Sequence, residues 1–420
     1  MAYVLGVVLF ALAILISVSL HEAGHMATAK AFGMKVSRYF VGFGPTLWSF
    51  RRGETEYGVK GIPLGGFVKI VGMTPQDDDV EPADQPRAMW RFPVWKRTIV
   101  MSAGSATHFA LAFVALWFAA MFMGLPNPAY PNTIDEVNKQ PATVAVEPCV
   151  IVNPTDAATR SGCASGDPTS PSSLAGLRDG DRITRVGSTP VGSYGDLVKA
   201  IRASEPGVPV QIAYVRDGVT RTATLHLISV QRPPLDNPNG SLESVSALGV
   251  TPKVDIPLTV TYGPGEALGA SVDFTGTMFT GTVQAMKKFP EKVPKLWTAI
   301  NGGQRDPQTP ISVVGASRLG GEAVANDAWQ AFVMLFIVLN FFVGVFNLLP
   351  LLPLDGGHIA IAWFEKVRSW LYARLRRPDP GRVDYYKLMP VTYAVILIFG
   401  AFTLLTVTAD VVNPITLFSR

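Results

Sequence analysis

Residues 1–20 carry no charged side chain, and the run ends at His21-Glu22-Ala23-Gly24-His25. A stretch of that length and apolarity can cross a bilayer as a helix. It confines the chain to folds that satisfy every backbone group inside lipid. The run extends over roughly 3–25, and three others share its character, near 98–124, 329–352 and 388–409. With 420 residues, 48% hydrophobic and only 16% charged, and a mean hydropathy of +0.27, the chain is too apolar for an ordinary soluble enzyme. The first run lacks the basic start of a secretory signal, and cleavage behind it would discard both histidines, so it reads as a retained helix. The expected fold class is an α-helical polytopic membrane protein with about four spans.

His21 and His25, four apart, fall on one helix face about one turn apart, close enough to share a metal. A catalytic zinc needs three protein ligands and an open position for water, and Glu22 beside the first histidine can take a proton from that water. The spacing therefore predicts hydrolytic chemistry at a metal inside a membrane helix. The plainer reading, two histidines meeting by chance or capping a helix, is weakened by there being only five histidines in the chain. A third ligand is available. The uncharged stretch after Asp327 closes with Asn347-Leu348-Leu349-Pro350-Leu351-Leu352-Pro353-Leu354-Asp355-Gly356-Gly357-His358, and Asp355 is the first charge reached. An acid there would cost roughly 2.5–3.5 kcal/mol on insertion scales unless paired or metal-bound, so Asp355 is expected to complete the set for one Zn2+ per chain.

Positive charge is concentrated in two loops. Lys35, Arg38, Arg51, Arg52, Lys60, Lys69, Arg87, Arg91, Lys96 and Arg97 lie between the first two runs, and Lys366, Arg368, Arg374, Arg376, Arg377, Arg382 and Lys387 between the last two. The pI near 9.0 thus implies a membrane orientation, with both loops cytoplasmic, and no nucleic-acid partner. Both termini and the stretch 126–328 are then expected outside. His21 would lie about 27 Å along its helix, toward the cytoplasmic end of a roughly 30 Å core, and Asp355 reaches a similar depth. Cys149 and Cys163, the only cysteines, fall in the segment expected outside, where an oxidising compartment favours their pairing.

Between Val41 and Met73, glycines punctuate alternating apolar and polar residues, which predicts short strands at the membrane surface or dipping into it. The acidic group Asp77, Asp78, Asp79 and Glu81 reads as a solvated loop. Asn127 to Pro171 reads as linker and irregular strand. A compact β-rich unit of about 90 to 100 residues follows, within the usual size of a domain. It has a turn and strand over Ser173–Ile183, a short amphipathic helix over Tyr194–Ala203, and strands over Val208–Val215 and Arg221–Leu227 joined by Asp217-Gly218. His226, in one of these strands, reads as a packed or surface histidine. From Tyr262 to Ala325, Lys287, Lys288, Lys292 and Lys295 beside Phe289, Leu296 and Trp297 fit either a helix lying on the membrane or an ordinary packed helix.

His-Glu-x-x-His on a first apolar run paired with Asn-x-x-Pro-x-x-x-x-Asp-Gly on a later one resembles the site-2 proteases, zinc intramembrane metalloproteases. Gly42-Phe43-Gly44-Pro45, Thr55-Glu56-Tyr57, Pro63-Leu64-Gly65-Gly66-Phe67-Val68-Lys69 and the PDZ-like Ala175-Gly176-Leu177-x-x-Gly180-Asp181 support the resemblance over nearly the whole chain. It is similar to the bacterial branch with an inserted extracytoplasmic PDZ domain, in a single-PDZ, actinobacterial-looking form. The organisation implied is a first span with the histidines (1–30), a membrane-associated β region (31–97), a second span (98–125), and an extracytoplasmic region (126–255) with one PDZ domain at about 140–232. An amphipathic connector (256–328), a third span with the Asn-to-Asp motif (329–360), a basic cytoplasmic loop (361–387), a fourth span (388–411) and an extracytoplasmic tail (412–420) complete it.

The resemblance implies zinc held by His21, His25 and Asp355, Glu22 as general base, and Asn347 holding substrate backbone or the oxyanion, a role its amide can fill; helix-to-helix hydrogen bonding is the alternative for Asn347. It implies a multi-pass protein of the bacterial plasma membrane with its active site toward the cytoplasm. Its substrates would be single-span membrane proteins, typically anti-sigma factors, already trimmed by an upstream site-1 protease. Where the family shows Gly-Pro-x-x-Asn, this chain has Gly104-Ser105-Ala106-Thr107-His108. His108 either touches the site or satisfies a neighbouring carbonyl, and His358 reads as a supporting or structural residue. Two rivals from other classes remain. A membrane-tethered PDZ adaptor with a structural metal would need a closed four-ligand set, and a metal transporter fits poorly with four spans and a Glu beside the metal.

Overall fold

A computed structural model describes residues 1–74, 77, 80–153, 162–237 and 240–418, apart from the Leu64 side chain. Asp78 and Asp79 of the acidic group, and residues 154–161 of the expected linker, lie outside the described residues. The chain forms two compact units, residues 1–125 with 261–420, and residues 126–260.

Helix α1 (Ala2–Ala31) is apolar nearly all round, and its buried stripe is Gly6, Phe10, Ser17, His21, His25 and Ala29 at four- and seven-residue spacing. It stops at Gly33, which takes φ +83°. The Gly33 N–H bonds the Lys30 carbonyl and the Met34 N–H that of Ala29, a Schellman close that a residue with a Cβ would strain. Strands β1 (Val36–Arg52) and β2 (Thr55–Ile70) follow, joined by a two-residue turn at Gly53-Glu54. Both strands bend, so residues 38–41 register with 56–59 and with 66–69, while 48–52 register with 55–59. The expected small sheet is present, and residues 66–70 form one of its margins. Helix α2 (Val94–Phe122) buries one face running from Arg97 through Gly104 and His108 to Ala120.

The second unit opens with α3 (Ile134–Asn138), held by a capping box between Thr133 and Glu136, followed by β3 (Val144–Val146) and α4 (Pro171–Leu174). The segment expected as linker thus contains regular structure. Cys149 and Cys163 form a disulfide, their Cα atoms 5.9 Å apart. A four-stranded antiparallel sheet in the order β5-β4-β6-β7 is built from β4 (Arg182–Val186), β5 (Thr189–Pro190), β6 (Pro209–Arg216) and β7 (Val219–His226), with α5 (Tyr194–Ala203) intervening in sequence. Two further pairs join β8 (Ile228–Arg232) to β9 (Glu243–Ala247), and β10 (Val250–Pro252) to β3. Ile183, Leu197, Ile212, Leu225 and Leu227 fill the core. His226 is exposed at the end of β7. Asp181, 1% exposed, closes the Gly176–Asp181 turn by accepting from the Arg178 N–H at 2.8 Å and from Arg216 Nε and Nη2, each at 2.7 Å.

Returning to the first unit, α6 (Pro264–Ile300) buries Ala267, Ser271, Leu296 and Ala299, while Trp297 stays exposed. Of its lysines, Lys292 and Lys295 both reach Asp306, at 3.0 and 2.8 Å. Helix α7 (Val313–Ala325) lies against α1, where a Cβ on Gly6 would meet the Gly320 oxygen at 2.8 Å; such small-residue contacts bring helices close in membranes. The expected single span over 329–360 is two helices, α8 (Trp329–Asn347) and α9 (Asp355–Arg374). The two prolines at 350 and 353 cannot supply the amide protons a continuous helix would need there. Much of the stretch expected as a basic loop is therefore helical. Helix α10 (Met389–Val412) ends the unit. Among the described residues four helices are long and apolar enough to cross a membrane, Ala2–Ala31, Val94–Phe122, Trp329–Asn347 and Tyr385–Val412.

Candidate metal centre

Helix periodicity puts His21 and His25 on the buried stripe of α1, 6% and 4% exposed. Asp355 arrives from the opposite end of the sequence, in the first turn of α9, where the positive end of the helix dipole favours a carboxylate. The break at 348–354 is what delivers it, because a continuous helix from Trp329 would have carried Asp355 further along a straight axis.

The two Nε2 atoms lie 3.1 Å apart, and Asp355 Oδ2 sits 3.4 Å from the first and 3.3 Å from the second. His21, His25 and Asp355 are the group of three metal-capable side chains found among the described residues, with ligand atoms all within 4.8 Å of one another. His25 Nδ1 donates to the Val100 carbonyl at 2.7 Å, which leaves its Nε2 lone pair free. Asp355 Oδ2 is buried with no hydrogen-bond partner among the described residues. Converging lone pairs without donors are costly unless a cation sits among them, so the donor set fits zinc, which takes imidazole nitrogen and carboxylate oxygen.

Two glycines make room. A Cβ on Gly104 of α2 would stand 2.4 Å from both His21 Cε1 and His25 Nε2, and one on Gly24 would stand 2.5 Å from Thr107 Oγ1. Only a bare backbone at 104 lets α2 close over the two imidazoles.

Glu22 turns from the same helix toward the sheet, and its Oε2 accepts from the Val68 N–H at 3.0 Å. The margin of the sheet at 66–70 therefore stands beside the carboxylate that the motif assigns to proton transfer. Asn347 is the last residue of α8, half-buried, at the start of the break that ends at Asp355. His358 lies one turn beyond Asp355. It stacks on Tyr385 with ring centroids 5.8 Å apart and lines a small cavity with Arg97, Met101 and Tyr385, outside the ligand set.

His108 is 2% exposed, its ring centroid 4.9 Å from that of His21. It belongs to a buried polar cluster with Ser17 and Asn340, and these two partners were not singled out from sequence. Asn340 offers a signal in retrospect, being one of few strongly polar residues in the uncharged stretch after Asp327. The buried pair Arg97 and Glu365, 3.3 Å apart, ties α2 to α9 and was equally hidden, because each residue sits in what reads as a charged loop.

Converging imidazoles and a carboxylate, a Glu beside the first ligand, and apolar helices around them together define a membrane-embedded zinc hydrolase. The description of peptidase family M50 matches residues 9–376. The chain is 45% identical over 420 residues to the zinc metalloprotease Rip1 of Mycobacterium bovis (strain BCG / Pasteur 1173P2), covering all of both chains. It is 44% identical to the zinc metalloprotease Rip1 of Mycolicibacterium smegmatis, again covering all of both. A putative zinc metalloprotease of Mesorhizobium japonicum is 29% identical over 389 residues, covering 89% of this chain and 90% of its own. The chain belongs to peptidase family M50, the site-2 proteases, and is a zinc metalloprotease. The reading as an adaptor with only a structural metal falls with that assignment.

Proposed function

We propose that this zinc metalloprotease is an intramembrane endopeptidase. It cleaves transmembrane segments of single-span proteins, anti-sigma factors among them, after a site-1 protease has made a first cut, and so passes a signal across the bacterial plasma membrane. The observation that carries the reading is the set His21, His25 and Asp355 meeting between helices apolar enough to span, with Glu22 against the sheet margin at 66–70.

When bound, zinc supplies a water acidic enough to be deprotonated near neutral pH and an electrophile for the scissile carbonyl. The Val68 N–H holds Glu22 Oε2, leaving Oε1 to take the water's proton and deliver it to the departing amide nitrogen. Asn347 holds substrate backbone or the developing oxyanion through its amide. A helical substrate hides its peptide bonds in its own ladder, so it must unwind before attack. Residues 66–70 offer the extended segment a strand to pair with. His21, His25 and Asp355 lie toward the cytoplasmic side, with both termini and residues 126–260 outside, the arrangement favoured by the basic loops.

The unit of residues 126–260 is proposed to contain one PDZ domain, at about 140–232, on the strength of the Ala175-to-Asp181 turn and a groove in this unit of about 440 Å³ lined by Leu197 and Ile201 of α5 and by Val245 and Leu248. It acts as a steric filter against bulky outer domains or as a peptide receptor.

The test is cleavage of a labelled single-span substrate by wild type and Glu22→Gln at matched zinc content. Loss of cleavage by about 10²–10⁴-fold with zinc retained is expected for a general base. Equal cleavage by both forms would remove Glu22 from the mechanism.

A further inference from the structure

The two zinc-binding imidazoles are not equally supported. His25 Nδ1 donates to the Val100 carbonyl at 2.7 Å, whereas His21 Nδ1 is buried with no partner among the described residues. A histidine that binds metal through Nε2 carries its proton on Nδ1, and such protons almost always meet an acceptor that fixes the ring and raises its basicity. The group packed on His21 is another imidazole, His108.

The protonation of His108 follows from its neighbours. Asn340 Nδ2 donates to the Phe336 carbonyl at 2.9 Å. Turning that amide over would set two acceptors face to face, so Oδ1 must point the other way, toward His108 Nδ1 at 2.9 Å. An amide oxygen only accepts. His108 Nδ1 therefore bears the hydrogen, and Nε2 of the neutral ring is left with a lone pair. Ser17 donates its hydroxyl to the same Asn340 oxygen, so α1, α2 and α8 each contribute one member to the cluster.

We propose that His108 is a positioning residue for zinc: Asn340 and Ser17 fix its tautomer, and its Nε2 lone pair is the acceptor that the His21 Nδ1–H, unpartnered among the described residues in this structure, meets when zinc is bound. The neutral imidazole then does for His21 what the Val100 carbonyl does for His25. The proposal rests on zinc being held by His21, and the test separates the two claims.

The full-length protein in detergent or nanodiscs is titrated with Co2+ and Zn2+ against a competing chelator, and the visible Co2+ spectrum is recorded. His108→Phe keeps a ring on His21 but offers no lone pair; Asn340→Ala leaves His108 without the oxygen that sets its tautomer. Each is expected to weaken metal binding about 10–100-fold and to shift the Co2+ bands. The double variant should be no weaker than His108→Phe alone, because both act through one contact. Wild-type affinity and spectrum in folded His108→Phe, or full additivity in the double variant, would overturn the proposal. If His108→Phe does not fold, Asn340→Ala decides on the same two readouts. Failure of the wild type itself to bind Co2+ or Zn2+ would overturn the ligand set as well.

Discussion

In residues 126–260 the core is a cluster of aliphatic side chains, with Ile183, Leu197, Ile212 and Leu227 each at most 1% exposed. The buried faces of the helices in the other unit add to apolar residues such as Phe10, Val100 and Leu116 the polar Ser17, His21, His25, Ser105, His108 and Asn340, beside Gly24 and Gly104. Water drives the first arrangement, since removing apolar area from it is favourable at roughly 25 cal/mol per Å². Lipid offers no such reward for pressing one leucine against another, so helices in a membrane associate through close packing of small residues and through polar contacts. The polar cluster that this packing permits is also the place where a metal can be held and water used. Stability and chemistry share residues in the spanning unit and are separate in the inserted one.

That contrast predicts where damage should spread. The largest effect is expected from Gly104→Val, which drives a branched side chain into the space 2.4 Å from His21 Cε1 and His25 Nε2. Zinc content by elemental analysis should fall to near zero and cleavage with it, while pepsin resistance within 126–260 stays as in the wild type. Retention of full zinc would mean that α2 does not close over the imidazoles.

Ile212→Ala should do the reverse. Emptying a fully buried position in the inserted core should cost about 2–5 kcal/mol, visible as faster proteolysis within 126–260 with zinc stoichiometry unchanged. Zinc loss on this change would break the separation drawn between the two units.

The smallest effect concerns acid. Burial pushes the Asp181 carboxyl up, but hydrogen bonds from Arg216 and from the Arg178 N–H outweigh it and hold the group below its ordinary range. A depressed folded pKa contributes stability above the unfolded value of about 3.9, and the contribution is lost as pH falls through the lower folded value. Pepsin resistance within 126–260 should therefore decline below about pH 4 in the wild type, and part of that decline should vanish in Asp181→Asn. An identical acid profile in the variant would show that the Asp181 to Arg216 pair carries no pH-dependent stability.

Much of this was legible in the residues. The spacing of His21 and His25, the isolated charge of Asp355 and the glycine-punctuated strands each reflect a local rule, namely helix period, the cost of an acid in lipid, or turn chemistry. Less legible was the interruption between Asn347 and Asp355. Hydropathy averages across it, and only Pro350 and Pro353 mark it. The regular structure within 127–171 was hidden for a related reason, since short strands such as Val144–Val146 are stabilised by pairing with residues a hundred positions away.

The sequence by itself determined that the chain carries runs apolar enough to span a membrane and that His21 and His25 share one helix face with Glu22 beside them, because each follows from residue type and spacing along one element; Asp355 and the metalloprotease family were reached only by taking two distant motifs together. Tertiary structure alone decided that Gly104 must be bare, that Val68 holds Glu22, and that Ser17, His108 and Asn340 gather beside His21. Those three come from helices separated by up to 323 positions. No periodicity in one segment can encode a contact whose geometry is set by how three helices pack.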